Sequence, residues 1–335
     1  MAERRVALLL PGQGAQYPRM AIPLYRREPR FRLVVDEVLD LMGEQGARIR
    51  EDWFGDSPVL PVDDGRRAQP LLFAIGYGVG RVLQDQGLRP AVLLGHSIGE
   101  LAAAALAGVF DLPSAARILL ARSRSLSAAP AGGMLAVAAA PERIRPWLDV
   151  AGEHRGVAVG AVNAPAQTVL AGPEPSLART EQALRGAGLV ARRVRATEPW
   201  HSPVLREAAL AFEEALAAEP LHPPRIPIRS ARTGRTVTAR EAVDPAFWAG
   251  QMAEPVLYWQ ALTRLLDSAD HTLVETGPGV SLSAPARRHP SVRSGRSEVV
   301  SVLPGERQDC WATWQAALER LARLGVLDGE AAPHA

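Results

Sequence analysis

The chain has 335 residues, of which 47% are apolar and 22% charged, and its formal net charge is only +2. This near balance argues against a dedicated nucleic-acid binder, which would carry a clustered basic face. The single cysteine, Cys310, excludes an intrachain disulfide and leaves a Cys/His zinc cluster without ligands, so the sequence predicts no metal site.

The first predicted element is a buried strand over Arg5–Leu10, followed by the Gly-rich loop Pro11-Gly-Gln-Gly-Ala-Gln16. The apolar run of this strand is too short for a signal peptide, and no later run approaches membrane length. We therefore expect a soluble, cytoplasmic protein without a membrane partner. Glycines in the loop would let the backbone approach a ligand closely. The Lys-Ser/Thr pair of a phosphate loop is missing, which argues against nucleotide binding.

Helices and a second strand come next. Apolar spacing predicts helices over Leu24–Met42, over Gln69–Leu83 with Pro70 in its first turn, and over Pro113–Leu126. Between the last two lies Ala91-Val-Leu-Leu-Gly-His-Ser-Ile-Gly-Glu100, an apolar strand that runs into an alanine-rich helix.

From residue 132 the predicted elements become short. Four strands and two helices alternate as β-α-β-β-α-β, which predicts a ferredoxin-like subdomain over residues 132–197. The first of these helices is predicted over Pro141–Val150. Both ends of the subdomain return to one large domain, formed by residues 1–131 and 198–327, and residues 328–335 are predicted to be a frayed tail.

The remainder alternates helices with buried strands. The predicted elements are helices over Pro203–Ala218, Ala246–Leu266 with a break at Pro255, and Glu306–Leu324, and strands over Ile226–Ser230, His271–Glu275 and Glu298–Val302. Strands that alternate with helices imply a parallel sheet covered on both faces, so the predicted fold class is α/β.

The segment Gly95-His-Ser-Ile-Gly99 fits a nucleophile elbow, in which a strand turns sharply into a helix and presents one serine hydroxyl. A side chain at either glycine would collide with neighbouring backbone where the chain doubles back. Ser97 is the candidate nucleophile, with its carbonyl-binding side towards the unpaired first amides of the helix. Because this five-residue pattern is common, a plain strand-to-helix turn is the alternative.

A serine nucleophile needs a base within hydrogen-bond reach. Of the seven histidines, His201 stands out because Glu198-Pro-Trp-His-Ser-Pro203 places it in a Pro-bounded loop before a helix. His96 is adjacent to Ser97 in sequence, but neighbouring side chains on an elbow point apart, so we expect it to support the turn.

Several motifs occur together along the chain in a fixed order. They are Pro11-Gly-Gln-Gly-Ala-Gln16, Gly95-His-Ser-Ile-Gly-Glu100, Arg122, Asn163-Ala-Pro165, Trp200-His-Ser-Pro203, Gln251 and Glu275-Thr-Gly-Pro-Gly279. In order and approximate spacing the chain resembles the malonyl-CoA:acyl-carrier-protein transacylase family over about Val6–Val326, with a nearer likeness to acyltransferase domains of modular polyketide synthases. The resemblance implies an α/β-hydrolase-like large domain with an inserted ferredoxin-like subdomain, which agrees with the segmentation above.

The resemblance also implies roles for individual residues. Ser97 takes the acyl group as an ester, and His201 is the general base for that step and for the later attack by a carrier thiol. The main-chain amides of Gln13 and Ile98 would form the oxyanion hole. No carboxylate completes a triad in this family, and a carbonyl at the position of Gln251 orients the histidine.

Arg122 matches the guanidinium that pairs bidentately with the free carboxylate of malonyl-type substrates in this family. From the residue pattern alone, a solvated helix charge is the favoured interpretation, as for Arg117 and Arg124. Only the match to the family singles out Arg122.

The substrate pocket departs from the family pattern. The four residues ending at the histidine are commonly His-Ala-Phe-His in malonyl domains and Tyr-Ala-Ser-His in methylmalonyl domains, but here they are Glu198-Pro-Trp-His201. The bulk of Trp200 argues against a 2-methyl branch, and Glu198 with its proline indicates a reshaped pocket. Ile98 after the serine favours malonyl. Asn163 and His96 are also expected to contact the substrate.

The predicted function is therefore a discrete acyltransferase of polyketide-type, antibiotic biosynthesis. Because no ketosynthase or carrier sequence flanks the domain, we expect it to meet its acyl carrier protein in trans. Acyl-CoA or acyl-phosphopantetheine would be the substrate, with no bound cofactor.

Two other activities remain open: carrier-to-carrier transfer of an aminoacyl or peptidyl group, and hydrolysis as a thioesterase or esterase. A non-catalytic carrier-binding protein is disfavoured because Ser97 and His201 are both intact. The sequence leaves the acyl group, the donor, the accepting carrier and the oligomeric state undetermined.

Overall fold

The structure is a computed structural model that describes residues 5–126, 129–148, 152, 154–196 and 198–327. Strands and helices are numbered along the chain. The strands of the larger sheet are β1 (Arg5–Leu10), β2 (Pro90–Gly95), β7 (Ile228–Arg229), β8 (His271–Glu275) and β9 (Glu298–Ser301). All five run parallel in the order β7-β2-β1-β8-β9.

Both faces of this sheet are buried, as the apolar composition of its central strands requires. Successive side chains of a strand point to opposite faces. Along β1, Leu8 and Leu10 enter the core on one face, whereas Ala7 and Leu9 enter the core on the other, and all four are fully buried. The predicted α/β class with a parallel sheet is confirmed.

Helices cover the two faces and form the rim of the large domain. They are α1 (Ile22–Arg27), α2 (Pro29–Leu41), α3 (Glu44–Phe54), α4 (Gly65–Asp85), α5 (Ile98–Leu106), α6 (Leu112–Ser125), α9 (Arg206–Ala217), α10 (Ala239–Ala242), α11 (Pro245–Ala249), α12 (Tyr258–Ser268), α13 (Ser283–Ala286), α14 (Pro290–Arg293) and α15 (Cys310–Arg323). Within the described part of the chain, none of the helices has both the length and the apolar character needed to cross a membrane.

A second, antiparallel sheet lies in the middle of the chain. Its elements are β3 (Gly132–Val137), α7 (Pro141–Ile144), β4 (Ala158–Ala164), β5 (Gln167–Pro173), α8 (Ser176–Gly186) and β6 (Ala191–Arg193). The strand order β4-β5-β3-β6 is the arrangement of a β-α-β-β-α-β unit. This sheet has a core of its own, which includes Leu135, Leu170 and Leu184. The limits at 131/132 and 197/198 stay a prediction, and residues 197 and 328–335 lie outside the described residues.

Prolines and caps account for most differences from the predicted helices. The single helix predicted over Leu24–Met42 is wrong: Glu28 is extended (φ −106°, ψ 99°) and separates α1 from α2. Pro29 is the cause, since a proline ring disfavours helical backbone at the preceding residue. Pro70 lies inside α4 rather than in its first turn, because Asp64 caps the helix by accepting a hydrogen bond from the Arg66 amide.

Two further differences concern short segments. Helix α3 was not predicted. Helix α7 ends at Ile144 and continues as a 3₁₀ turn over Arg145–Trp147, so the helix predicted over Pro141–Val150 is too long. Residues 149 and 150 lie outside the described residues.

The turn between β2 and α5 is the tightest junction near the centre of the large sheet. A Cβ built on Gly95 would lie 2.3 Å from the Glu100 nitrogen, and one on Gly99 would lie 2.0 Å from the Leu10 carbonyl oxygen. Both distances are far below van der Waals contact with backbone atoms that cannot move aside. The two glycines therefore let the chain reverse directly against β1.

We expect Gly99→Ala to lower the free energy of unfolding by at least about 2 kcal/mol, because the added methyl group overlaps β1 backbone. Urea unfolding followed by circular dichroism measures this. Gly186→Ala is the matched control, since it is exposed at the end of α8 and its Cβ would meet nothing within 4 Å. A Gly99→Ala protein as stable as Gly186→Ala would contradict the steric account.

Candidate active site

Ser97 lies at the N-terminus of α5, directly after the end of β2. Its backbone has φ 54° and ψ −122°, an uncommon conformation for a residue with a side chain. Such strain costs about 1–3 kcal/mol and persists only where surrounding structure imposes it. Here the close packing of Gly95 and Gly99 against backbone imposes it. Ser97 is consequently held at a fixed point, with 6% of its surface exposed.

His201 is brought to this serine from a part of the chain 104 residues away, and its Nε2 lies 2.7 Å from Ser97 Oγ. The other ring nitrogen, Nδ1, lies 2.8 Å from the main-chain oxygen of Gln251 and 3.1 Å from that of Glu254. Carbonyl oxygens only accept hydrogen bonds, so Nδ1 carries the proton and donates. Nε2 is then the unprotonated acceptor that faces the serine hydroxyl.

The backbone of His201 is also held in place. Its φ is 63°, and its amide donates to the Met252 carbonyl at 2.9 Å. The segment Gln251–Glu254 therefore fixes both the main chain and the ring of His201. The carbonyl expected at position 251 is the main-chain carbonyl of Gln251, and Glu254 supplies a second one that the sequence did not reveal.

Burial, reinforced by the positive charge of Arg122 and by the neighbouring His96, lowers the pKa of His201 to about 3. Only 3% of the residue is exposed. At neutral pH the imidazole is therefore uncharged, which is the form that can take a proton from Ser97.

The Gly-rich loop packs directly on the elbow. A Cβ on Gly12 would lie 2.3 Å from the His96 carbonyl oxygen and 3.1 Å from Ser97 Cβ. The next residue, Gln13, is anchored by its side chain, whose Nε2 donates to the Asp63 carbonyl at 3.1 Å. Ile98 is the first residue of α5, so its amide has no partner within the helix.

Arg122 is 1% exposed, so the solvated helix charge that the pattern alone favoured is wrong. Its Nε donates to Gln69 Oε1 at 3.0 Å, whereas Nη1 and Nη2 are buried without a hydrogen-bond partner. The guanidinium carbon lies 4.7 Å from the Trp200 ring centre and 5.7 Å from that of Phe212. Burial lowers the pKa of Arg122 to about 9, so it remains a cation at neutral pH.

The other two arginines of α6 differ from Arg122. Arg117 pairs with Glu219 at 2.7 Å on the surface, and Arg124 is exposed.

A chain of side-chain amides joins Arg122 to the Gly-rich loop. Gln69 Oε1 accepts from Arg122 Nε, and Gln69 Nε2 donates to Gln13 Oε1 at 2.9 Å. The half-buried Glu198 lies close to these two glutamines. All three side chains surround Gly65: a Cβ built on that glycine would lie 3.7 Å from Glu198 Oε2, from Gln13 Oε1 and from Gln69 Nε2. The loop that carries Gln13 and the arginine are thus parts of one network.

The side chains of His96 and Asn163 are hydrogen-bonded to each other. The Nε2 of His96 lies 2.9 Å from Asn163 Oδ1, which links the elbow to strand β4 of the insert. Desolvation lowers the pKa of His96, so it too is uncharged. Their mutual bond agrees with the expectation that His96 supports the turn.

Besides Glu254, sequence reasoning missed two buried polar residues near this site. Gln69 and Glu100 are both buried polar residues within apolar helices. A polar residue among apolar residues of a helix was the signal that the sequence offered for both. Such a residue, once buried, requires a hydrogen-bond partner. Among the described residues, no group of three or more His, Cys, Asp and Glu side chains is placed to hold a metal ion.

The chain is similar to known proteins over most of its length. A profile of the acyl transferase domain family matches residues 8–322. The chain is 37% identical over 287 residues to a phenolphthiocerol/phthiocerol polyketide synthase protein of Mycobacterium tuberculosis, a match that covers 85% of this chain and 19% of that protein. It therefore spans about a fifth of the length of this curated relative.

Two solved structures are similar over nearly the whole chain. The acyltransferase domain from the second module of the salinomycin polyketide synthase has a TM-score of 0.87 and 33% identity, over 97% of this chain and 75% of that chain. The malonyl-CoA:acyl carrier protein transacylase of Xanthomonas oryzae has a TM-score of 0.83 and 27% identity, over 96% and 99%.

We expect the His201 ring to stay neutral from about pH 8 down to about pH 4, since burial, together with Arg122 and His96, lowers its pKa from 6.5 to about 3. A pKa that is lower in the folded than in the unfolded chain contributes stability above pH 6.5, and this contribution is lost as the pH falls towards 3. Histidine ring ¹⁵N NMR, assigned with His201→Gln, measures the titration. A midpoint near 6.5 for His201 would contradict the burial that the structure shows.

Proposed function

The chain belongs to the acyl transferase domain family, and we propose that it moves a malonyl-type acyl group from coenzyme A to the phosphopantetheine thiol of an acyl carrier protein. The acyl group would be held on the way as an ester of Ser97. The observation that carries this proposal is the hydrogen bond between Ser97 Oγ and an unprotonated His201 Nε2 beside a buried, incompletely paired guanidinium.

In the first half-reaction, Ser97 Oγ attacks the thioester carbonyl while its proton passes to His201 Nε2. The C–S bond then breaks, and the coenzyme A sulfur takes the proton from His201. In the second half-reaction, the carrier thiol gives its proton to Nε2 and attacks the Ser97 ester. Oγ leaves and regains the proton, so both protein groups return to their starting state.

Negative charge develops on the carbonyl oxygen in both half-reactions. We assign the main-chain amides of Gln13 and Ile98 to that oxygen, because the loop carrying Gln13 packs on the elbow and Ile98 begins α5. In acyl-transfer enzymes, one such donor contributes on the order of 3 kcal/mol to transition-state stabilisation.

The choice of a dicarboxylic acyl group rests on Arg122. Its two terminal nitrogens are buried and lack hydrogen-bond partners, which is costly unless a ligand supplies acceptors. A carboxylate fits this fork with two parallel hydrogen bonds. Because Gln69 takes the Nε hydrogen, the free edge of the guanidinium is the Nη1/Nη2 edge.

Trp200 supports a small malonyl-type group. The residue is 3% exposed, and its ring packs on Arg122 at the carboxylate end of the proposed pocket. There it stabilises the cation and fills space that a branch on the acyl chain would need. We assign His96, Asn163 and Glu198 to the surrounding wall of the pocket. The fixed guanidinium disfavours the alternative substrates that carry an amino group, since two cations would meet in a buried place.

The direct test is incubation with malonyl-CoA followed by intact-protein mass spectrometry. We expect a malonyl adduct on Ser97 that is absent in Ser97→Ala and forms at least about 10³-fold more slowly in His201→Ala. A separately added carrier protein then accepts the group, which also tests the expectation of transfer in trans. Absence of an adduct with every acyl donor tried would contradict the proposal.

Arg122→Ala should lower kcat/KM for malonyl-CoA by about 10²–10³-fold, because the substrate carboxylate would be left buried without its partner. Acetyl-CoA, which has no carboxylate, should not lose activity. Arg117→Ala is the matched control on the same helix, since the Arg117 side chain is exposed and pairs with Glu219 rather than facing Trp200. Equal losses for both donors, or no loss for malonyl-CoA, would show that Arg122 does not bind the carboxylate.

A further inference from the structure

Glu100 is a carboxylate buried inside an otherwise apolar helix. It lies in the first turn of α5 and is 2% exposed, and the remaining residues of this helix are isoleucine, leucine, alanine and glycine. Its amide donates to the Ser97 carbonyl at 2.8 Å, so the two residues belong to one turn of backbone. The steps proposed above do not use this side chain.

Both oxygens of Glu100 accept hydrogen bonds from segments outside α5. Oε1 accepts from Ser230 Oγ at 3.0 Å and from the Ala231 amide, just beyond the end of β7. Oε2 accepts from Gln251 Nε2 at 2.7 Å. Gln251 is itself 2% exposed, so this bond is closed to water and has no solvent substitute.

Gln251 connects this carboxylate to the base. Its main-chain oxygen accepts from His201 Nδ1, and the following residue, Met252, accepts from the His201 amide. The side chain of Gln251 therefore ties the acceptors of His201 to the turn that carries Ser97. This bond is a direct polar link between α5 and the Gln251 segment.

We propose that Glu100 is a positioning residue that sets the distance and orientation between Ser97 and His201 by holding Gln251. This inference rests on the proposed function for its kinetic readout. Glu100 touches neither the acyl group nor the imidazole. In enzymes with a Ser-His-Asp triad, an acid bonds the imidazole directly. Here the acid holds the residue whose carbonyl does so.

A neutral bridge can replace the charged one. Gln251 Oε1 is buried without a hydrogen-bond partner, so a half-turn of the Gln251 amide would break no bond of that oxygen. In Glu100→Gln, the side-chain nitrogen of the new glutamine would then donate to Gln251 Oε1. Its side-chain oxygen would still accept from Ser230 and Ala231. A positioning role therefore predicts rescue by glutamine but not by alanine.

Two readouts test the proposal. The first is kcat and KM for malonyl-CoA. The second is the rate at which a fluorophosphonate labels Ser97, a reaction in which the Oγ–P bond forms, fluoride leaves and His201 takes the proton. The second readout needs neither a malonyl group nor a carrier, so it remains informative if the proposed substrate is wrong.

We expect Glu100→Ala to lower kcat and the labelling rate by about 10–100-fold, the loss typical of a misplaced catalytic pair, while KM changes by less than about threefold. Gln251→Leu, which keeps the main-chain carbonyl, should behave in the same way. Glu100→Gln should stay within about threefold of the parent in both readouts. Ser230→Ala is the control, since the Ser230 hydroxyl bonds the other carboxylate oxygen and the amides of Arg232 and Thr233 but does not bond Gln251.

Circular dichroism and thermal melting separate this role from a general loss of folding. If Glu100→Ala does not fold, the double variant Glu100→Gln/Gln251→Leu takes its place in the test. This double variant lacks the bond between positions 100 and 251 but leaves no carboxylate buried at position 100. Unchanged labelling in folded Glu100→Ala or in that double variant would overturn the proposal. So would an equal loss in Ser230→Ala, or failure of glutamine to restore the rate.

Discussion

The hydrogen bond between Ser97 and His201 is the contact on which the arrangement of the site depends. The two residues are 104 positions apart, and each has a positive φ that an ordinary side chain avoids. The serine is held by glycines that let α5 reverse against β1, and the histidine by main-chain carbonyls of the segment that follows α11. The fold therefore uses two strained turns to bring one hydroxyl and one imidazole together.

The buried charge of Arg122 connects the basicity of His201 to the acyl group that we propose. The same desolvation that lowers the pKa of His201 also lowers that of Arg122, and the guanidinium lowers the pKa of the imidazole further. A carboxylate bound to Arg122 would cancel much of that positive charge. We therefore expect a dicarboxylic substrate to make His201 a stronger base on binding, so that the site is most reactive when the matching acyl group is present.

Local pattern predicted a large part of the fold. The strands Arg5–Leu10 and His271–Glu275 have the predicted limits, and the α/β class with a small antiparallel sheet follows from the order of the elements. The errors occur where one residue overrides periodicity, as Pro29 does between α1 and α2. Apolar spacing shows that a segment is helical, but it cannot show where a proline or a cap divides it.

Less of the site than of the fold could be predicted from local sequence pattern. The elbow motif singles out Ser97, and a Pro-bounded loop singles out His201, because both signals are local. Arg122 was distinguished only by resemblance to a family, since its burial depends on Trp200 and Phe212 from distant segments. The bond of Glu100 to Gln251 joins residues 151 positions apart. The spacing of apolar residues predicts which face of a helix Glu100 occupies, but it does not predict which residue from another segment binds it there.

In the proposed reaction, an acyl group on Ser97 passes to a thiol rather than to water. A chase of preformed malonyl-enzyme, with intact-mass detection of both proteins, measures this partition directly. We expect the Ser97 adduct to disappear much faster when a phosphopantetheinylated carrier is added, and the malonyl group to appear on that carrier. Decay to free malonate at one rate, with or without carrier, would contradict the claim and would identify the protein as a thioesterase.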